Sequence, residues 1–246
     1  MKLLMPCSAS AFRATVLAGT MHLLMTAGAV GAQRSEAPSG LSLELLALDG
    51  SLPSAALPTK WQVRAVRGKQ APVTSIVDSG AIRFLRISGT DRAAWFVREL
   101  ETPVDADGGE LRWTWRAPLA PAGANLNSPA TDDAALRVFV VFARRGLFAL
   151  RPRAIFYTLA DGEARPASTT TNKVASVAAI AVGRPAAARD WVQVTANPAR
   201  DYRRIWGAEP PRIVAIGLMQ DTDQTKTAAI GDVLRLQWRV SNGPNP

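Results

Sequence analysis

The chain has one cysteine, one histidine and two tyrosines among its 246 residues. Cys7 and His22 both fall within the first 32 positions. That segment reads as a secretory signal peptide. Lys2 and Arg13 are its only charges, the run from Ala14 to Ala29 is uncharged and mostly apolar, and Val30, Gly31 and Ala32 supply small residues for cleavage. Cleavage after Ala32 removes the only thiol and the only imidazole. The remaining chain then has no disulfide, no zinc site built from His or Cys, and no serine or cysteine nucleophile with a histidine base. Acid–base chemistry is left to Asp, Glu, Lys, Arg and Tyr.

Other absences narrow the field further. The leader's apolar run falls short of the roughly 20 residues a transmembrane helix needs, so no membrane span is expected after cleavage, with a retained anchor as the alternative. Cys7 precedes the apolar run instead of following it, which excludes a lipoprotein. Two of the 29 basic residues lie in the leader, leaving 27 against 20 acidic ones, a net charge of +7. These charges are scattered singly, mostly as arginine, and no block of about five or six like charges marks a nucleic-acid tail. The summed field suits anionic envelope polymers, although a plain arginine bias explains it as well. No internal repeat, low-complexity tract or long linker divides the chain. The expected organisation is a signal peptide over 1–32, a flexible leader over 33–44, one domain over 45–240 and a tail over 241–246, in a periplasmic or secreted protein.

What is present is a succession of strand signals. The run TDDAALRVFVVFARR from Thr131 to Arg145 has an apolar, β-branched and aromatic centre interrupted only by Arg137. A strand covered on both faces reads as such a continuous run, so this is expected to be a central strand. By contrast, Leu111, Trp113, Trp115 and Ala117 alternate with Arg112, Thr114 and Arg116, the pattern of a half-buried strand. Val73 to Val77 and Ala81 to Ser88 flank a turn at Asp78-Ser79-Gly80 and read as a hairpin. Further strands are expected around Leu57 to Val66, Ala94 to Leu100, Arg153 to Ala160, Thr169 to Val182, Trp191 to Thr195 and Ile213 to Met219. The last, from Leu234 to Val240, alternates again. Pro118 to Pro129 is a loop. One helix is expected near 198–206, with Asn197 as N-cap, Pro198 at the first helical position and Gly207 closing it. Ten or so short strands and one short helix argue for an all-β fold, a two-sheet antiparallel β-sandwich of jelly-roll type.

Several segments together resemble the DUF3047 family of uncharacterised, typically exported bacterial proteins. They are Leu111 to Arg116, Asp132-Asp133 with Ala135 to Phe142, Ile155-Phe156-Tyr157, Trp191, Arg200 to Arg204 with Gly207, Pro210-Pro211, Asp221 to Thr225, and Ile230 to Val233. They span Trp61 to Trp238. Gln224 stands where the pattern usually has asparagine, and Trp206 where it has phenylalanine. The family has no established activity, so the resemblance implies an exported domain and no chemistry.

Two polar constellations stand out. Asp132, Asp133 and Arg137 form the first. By period-two counting Asp133 and Arg137 share a strand face, either as a structural ion pair, since a buried arginine needs a partner, or as the polar floor of a ligand groove. The second is Asp221-Thr222-Asp223-Gln224-Thr225 with Asp232 eleven residues beyond Asp221. Its spacing resembles a calcium loop with Asp221, Asp223 and Asp232 as ligands. Lys226 in place of glycine opposes this, and turn-capping by the same side chains explains the segment too. Trp113 and Trp115 read as core or as a sugar platform. Arg116 and Tyr157 join Asp132, Asp133, Arg137, Asp221 and Asp223 as candidate ligand-binding residues. No catalytic residue is assigned. The expected function is non-catalytic binding of an envelope glycan or small polar ligand, in the manner of a carbohydrate-binding module. A carboxylate-dependent glycan hydrolase or lyase and a purely structural envelope protein are the alternatives.

Overall fold

The computed structural model describes residues 42–48, 57–144, 152–159, 168–171, 176–182 and 190–240. The expected signal peptide, most of the leader and the C-terminal tail lie outside them. In chain order the elements are β1 (Ser42–Glu44), β2 (Trp61–Ala65), β3 (Val73–Ser79), β4 (Ile82–Thr90), β5 (Ala93–Val104), β6 (Gly109–Leu119), β7 (Ala134–Phe142), β8 (Arg153–Thr158), β9 (Ser168–Thr171), β10 (Ser176–Ala181), β11 (Val192–Ala196), α1 (Pro198–Trp206), β12 (Ile213–Asp221) and β13 (Ala228–Val240).

Two sheets result. The six-stranded sheet runs β11-β6-β13-β4-β3, with β1 also paired to β13. The seven-stranded sheet runs β2-β5-β12-β7-β8-β10-β9. The chain passes repeatedly from one sheet to the other, and the last two strands insert between earlier ones, β12 between β5 and β7 and β13 between β6 and β4. That insertion gives the sandwich its jelly-roll-like connectivity.

The core lies between the sheets. Leu85, Ile87, Leu111, Trp113, Trp115, Leu236 and Trp238 come from one side, and Phe96, Leu136, Val138, Val140, Phe142, Ile155, Ile216 and Leu218 from the other. Each such side chain contributes about 1.5–3 kcal/mol when buried. The alternation of β6 is realised as read: Leu111, Trp113 and Trp115 are at most 1% exposed, while Arg112, Thr114 and Arg116 point outward. Trp113 and Trp115 meet edge-to-face at 5.4 Å inside the core and are no sugar platform.

The helix packs against this core through Ala199 and Tyr202. Asn197 caps it by accepting from the Arg200 N–H at 2.8 Å, and Gly207 at φ 58° ends it. A nine-residue helix is marginal alone. It is held by Tyr202 packing on Phe142 at 4.7 Å and by the Tyr157 hydroxyl donating to Asp201 at 3.0 Å.

Two departures from expectation are informative. Ser42–Glu44, expected within the flexible leader, form β1 on β13, because Leu45 and Leu46 just beyond are buried in the core and tie the segment down. The sheets are also not wholly antiparallel: β10 pairs parallel to β8. β9 is laid down first but sits outermost, and the β9–β10 pair then folds β10 back against β8. Parallel neighbours need a connection of about a dozen residues or more, and 159–175 supply it. No helix among the described residues is long and apolar enough to cross a membrane.

Candidate functional site

β7 is buried along nearly its whole length, as its composition implies, but the two faces meet different partners. Leu136, Val138, Val140 and Phe142 enter the inter-sheet core. Phe139 faces the other way, into a second apolar cluster with Val97, Ala154, Phe156, Ala215 and Met219. The outer face of the seven-stranded sheet therefore carries an apolar patch. Its centre is an aromatic group in which Trp95, Phe139 and Phe156 lie 5.2–5.4 Å apart. Gly217 on β12 makes this packing possible: a Cβ there would collide with the Phe139 ring and with the Phe96 carbonyl.

The loop between β6 and β7 reaches over this face and encloses a cavity of about 390 Å³. Trp95, Phe156, Met219 and Pro129 supply its apolar wall, and Asn127, Asp132 and Arg137 its polar one. A larger cavity of about 500 Å³, lined in part by Leu43, Lys60, Thr102, Trp238 and Val240, contains none of the candidate residues. Asp132 and Arg137 line the smaller one instead.

Arg137 is 7% exposed and is anchored from two sides. Its Nη1 lies 3.2 Å from Asp221 Oδ2 and 3.8 Å from the Met219 sulfur, and its Nη2 donates to the Asp132 carbonyl. The Asp132 carboxylate is 3.9 Å away. Arg137 is thus ion-paired and also lines the cavity.

Its partner is not Asp133, and this corrects the period-two expectation. Between Asp221↔Ala134 and Met219↔Arg137, β7 carries three steps against two on β12, a β-bulge of one extra residue. The bulge reverses the phase of everything before it, so Asp133 leaves the face of Arg137 and Asp221 replaces it. Asp133, 2% exposed, instead holds the turn after β12. It accepts from Gln224 N at 3.2 Å, Thr225 N at 2.7 Å and Thr225 Oγ1 at 2.6 Å.

The expected grouping of Asp221, Asp223 and Asp232 is likewise corrected. Asp232, fully buried, points to the outer face of the six-stranded sheet. There Arg86 binds it through Nε and Nη2 at 2.8 and 2.9 Å, and Arg116 Nε at 2.7 Å. Arg116 also stacks over Trp191 at 4.4 Å and so is not near Arg137. Tyr157 is in the core, and burial together with the neighbouring Asp201 raises its hydroxyl well above the ordinary value. The carboxylate group that does assemble is Asp133, Asp221 and Asp223, each offering one oxygen, all within 4.8 Å of one another. Burial pushes the Asp221 carboxyl up to about 7; Arg137 opposes this, and Asp223, Asp133 and Asp132 add to it. Burial raises Asp132 as well.

Trp95, Phe156, Met219 and the loop residues Asn127 and Pro129 were not singled out from sequence. The available signal was that β5, β7 and β8 carry apolar residues on both faces, so the sheet's outer face requires a cover.

A family model described as "Protein of unknown function" (DUF3047) matches residues 59–237, almost the whole described domain. The chain belongs to the DUF3047 family. No curated protein matches it. Among solved structures, it is similar to the family 11 carbohydrate-binding module of the cellulosomal cellulase Lic26A-Cel5E of Clostridium thermocellum, at 13% identity and TM-score 0.44, over 82% of this chain and 96% of that one. Endoglucanase 3 of Trichoderma harzianum is similar at 8% identity and TM-score 0.43, over 83% and 99%. The xyloglucanase domain of NopAA, a type three effector from Sinorhizobium fredii solved with cellobiose, is similar at 8% identity and TM-score 0.41, over 74% and 93%.

Proposed function

We propose that this DUF3047 member is an exported, non-catalytic binding protein whose outer-face cavity takes an envelope glycan or another small polar ligand. The observation that carries the reading is the composition of the cavity wall. Aromatic and thioether side chains (Trp95, Phe156, Met219) face polar groups of fixed orientation (Arg137, Asp132, Asn127) across about 390 Å³. Ligand sites commonly measure roughly 300–1,000 Å³ and combine an apolar lining with a few placed polar groups. A sugar ring matches that division, its C–H face stacking on an aromatic and its hydroxyls bonding charged planar groups. Arg137 is held by Asp221 and by the Asp132 carbonyl, so it does not need to be ordered when ligand arrives.

Calorimetric titration against a panel of envelope oligosaccharides tests the reading. Trp95→Ala is expected to weaken binding by up to about tenfold, in line with the ~0.5–1.5 kcal/mol an aromatic contact supplies beyond its area. Trp191→Ala, on the opposite sheet, is expected to leave it unchanged. Absence of binding by the intact protein to every glycan in the panel removes the reading.

A second reading, hydrolysis by carboxylates, is favoured by the raised carboxyls of Asp132 and Asp221 on either side of Arg137. Appearance of new reducing ends, lost in Asp132→Asn, distinguishes it from binding alone.

A further inference from the structure

We infer that Asp133, Asp221 and Asp223 form a calcium site. The three carboxylates come from the segment entering β7, the last residue of β12 and the turn that follows it, and one oxygen of each lies within 4.8 Å of the others. Calcium takes oxygen ligands at roughly 2.3–2.6 Å, so one ion set among these oxygens reaches all three. Magnesium, which keeps several waters and is usually held by one or two carboxylates, suits a three-carboxylate site less well.

Clustering alone does not make a site, and two further features point to a missing cation. The first is the Asp221 carboxylate itself. It is 7% exposed; Oδ2 takes Arg137 at 3.2 Å, and Oδ1 is buried without a hydrogen-bond partner. Buried acceptors are nearly always satisfied, and this one, on a member of the carboxylate cluster, has no partner among the protein's own groups. The second is charge balance. Asp132, Asp133 and Asp223 all act electrostatically on Asp221, against the single guanidinium of Arg137 in contact with it. Lys69 senses Asp133 and Asp223, but its ammonium is bonded to Asp91 at 2.7 Å.

The scaffold is already arranged. Asp133 holds the 222–226 turn through Gln224 N and Thr225 N, and Lys226 N closes that turn on Thr222 O at 3.1 Å. A carboxylate has about four lone-pair sites, so its hydrogen bonds to the turn leave room for an ion. This site differs from the calcium loop expected from sequence by exchanging Asp232 for Asp133. It does not depend on the glycan-binding reading.

The test uses the full chain stripped of metal with EDTA and titrated with calcium chloride, then separately with magnesium chloride. The expected result is one calcium per chain, with a melting temperature several degrees higher at saturation. Binding is expected to weaken at least tenfold in Asp223→Asn and in Asp221→Asn, and to be unaffected in Asp78→Asn, whose carboxylate is exposed elsewhere. The half-exposed Asp223 keeps the test valid if Asp221→Asn fails to fold. Absence of heat and of any melting shift up to about 10 mM calcium, beyond the weak end of natural calcium modules, overturns the inference. So does calcium binding that survives Asp223→Asn, or magnesium binding as tight as calcium.

Discussion

Each sheet of this sandwich carries an aspartate–arginine cluster on its outer face, and the two are built in opposite proportion. On the six-stranded sheet one carboxylate, Asp232, receives three charge-assisted hydrogen bonds from two arginines. Arg116 is itself stacked on Phe84 and Trp191 at 5.0 and 4.4 Å. Both arginines there are ion-paired, and each lies over an aromatic ring. On the seven-stranded sheet one arginine faces a group of carboxylates, one of whose oxygens is bonded to nothing. The first arrangement stabilises the fold. The second leaves one buried carboxylate oxygen without a partner, next to an arginine that lines a cavity.

The sharpest way to break the comparison is to remove Asp232. Asp232→Ala leaves Arg86 and Arg116 facing each other across a buried gap, and breaking such a pair costs about 3–5 kcal/mol. Because the two arginines are 32% and 20% exposed, the expected loss is nearer the lower figure, about 3 kcal/mol, read by urea denaturation. A loss under about 1 kcal/mol would mean that the cluster is not structural. The aromatic floor of the other sheet gives the next effect. Gly217→Ala forces a methyl group into the Phe139 ring, and overpacking of this kind costs about 1–3 kcal/mol. The same substitution is expected to abolish ligand binding, because it displaces the ring on which Trp95 and Phe156 rest.

The difference between the two sheets also decides what could be read from the chain. The apolar run of β7, the alternation of β6 and the caps of α1 are local patterns, and the structure realises them within a residue or two. The pairing of Asp232 with Arg86 spans 146 positions, and nothing near either residue marks it. The partner of Arg137 escapes local counting for a more specific reason. Period-two counting holds only while a strand keeps register with its neighbour, and the bulge in β7 exists only in relation to β12. The cavity was legible in part: Asp132 and Arg137 were singled out, whereas Trp95 and Phe156 needed the sheet order before their shared face became visible.

A smaller effect separates the clusters by pH. Asp221 has its carboxyl raised from 3.8 to about 7, so between those values the folded chain holds a proton that the unfolded chain has released. Its contribution to stability is therefore fully present below about pH 4, declines as the pH rises, and is gone above about pH 7. Asp221→Asn is expected to stabilise the metal-stripped protein by about 1–2 kcal/mol at pH 8, a discounted share of the shift, with the gain vanishing by pH 4 to 5. Denaturation curves at pH 4.5 and pH 8 in EDTA check it. A gain that is the same at both pH values would show that ionisation of Asp221 is not the cause.

The smallest expected change is the most discriminating. Asp223 is half-exposed and makes no hydrogen bond or ion pair found among the described residues, so Asp223→Asn in EDTA should alter stability by no more than about 0.5 kcal/mol. In saturating calcium the same variant should lack the several-degree rise in melting temperature shown by the parent chain. A side chain that matters to stability only when calcium is present is acting as a ligand, because a structural carboxylate of the Asp232 kind matters under both conditions. Equal losses in EDTA and in calcium would place Asp223 with Asp232, and the contrast between the two faces would then be one of exposure and not of purpose.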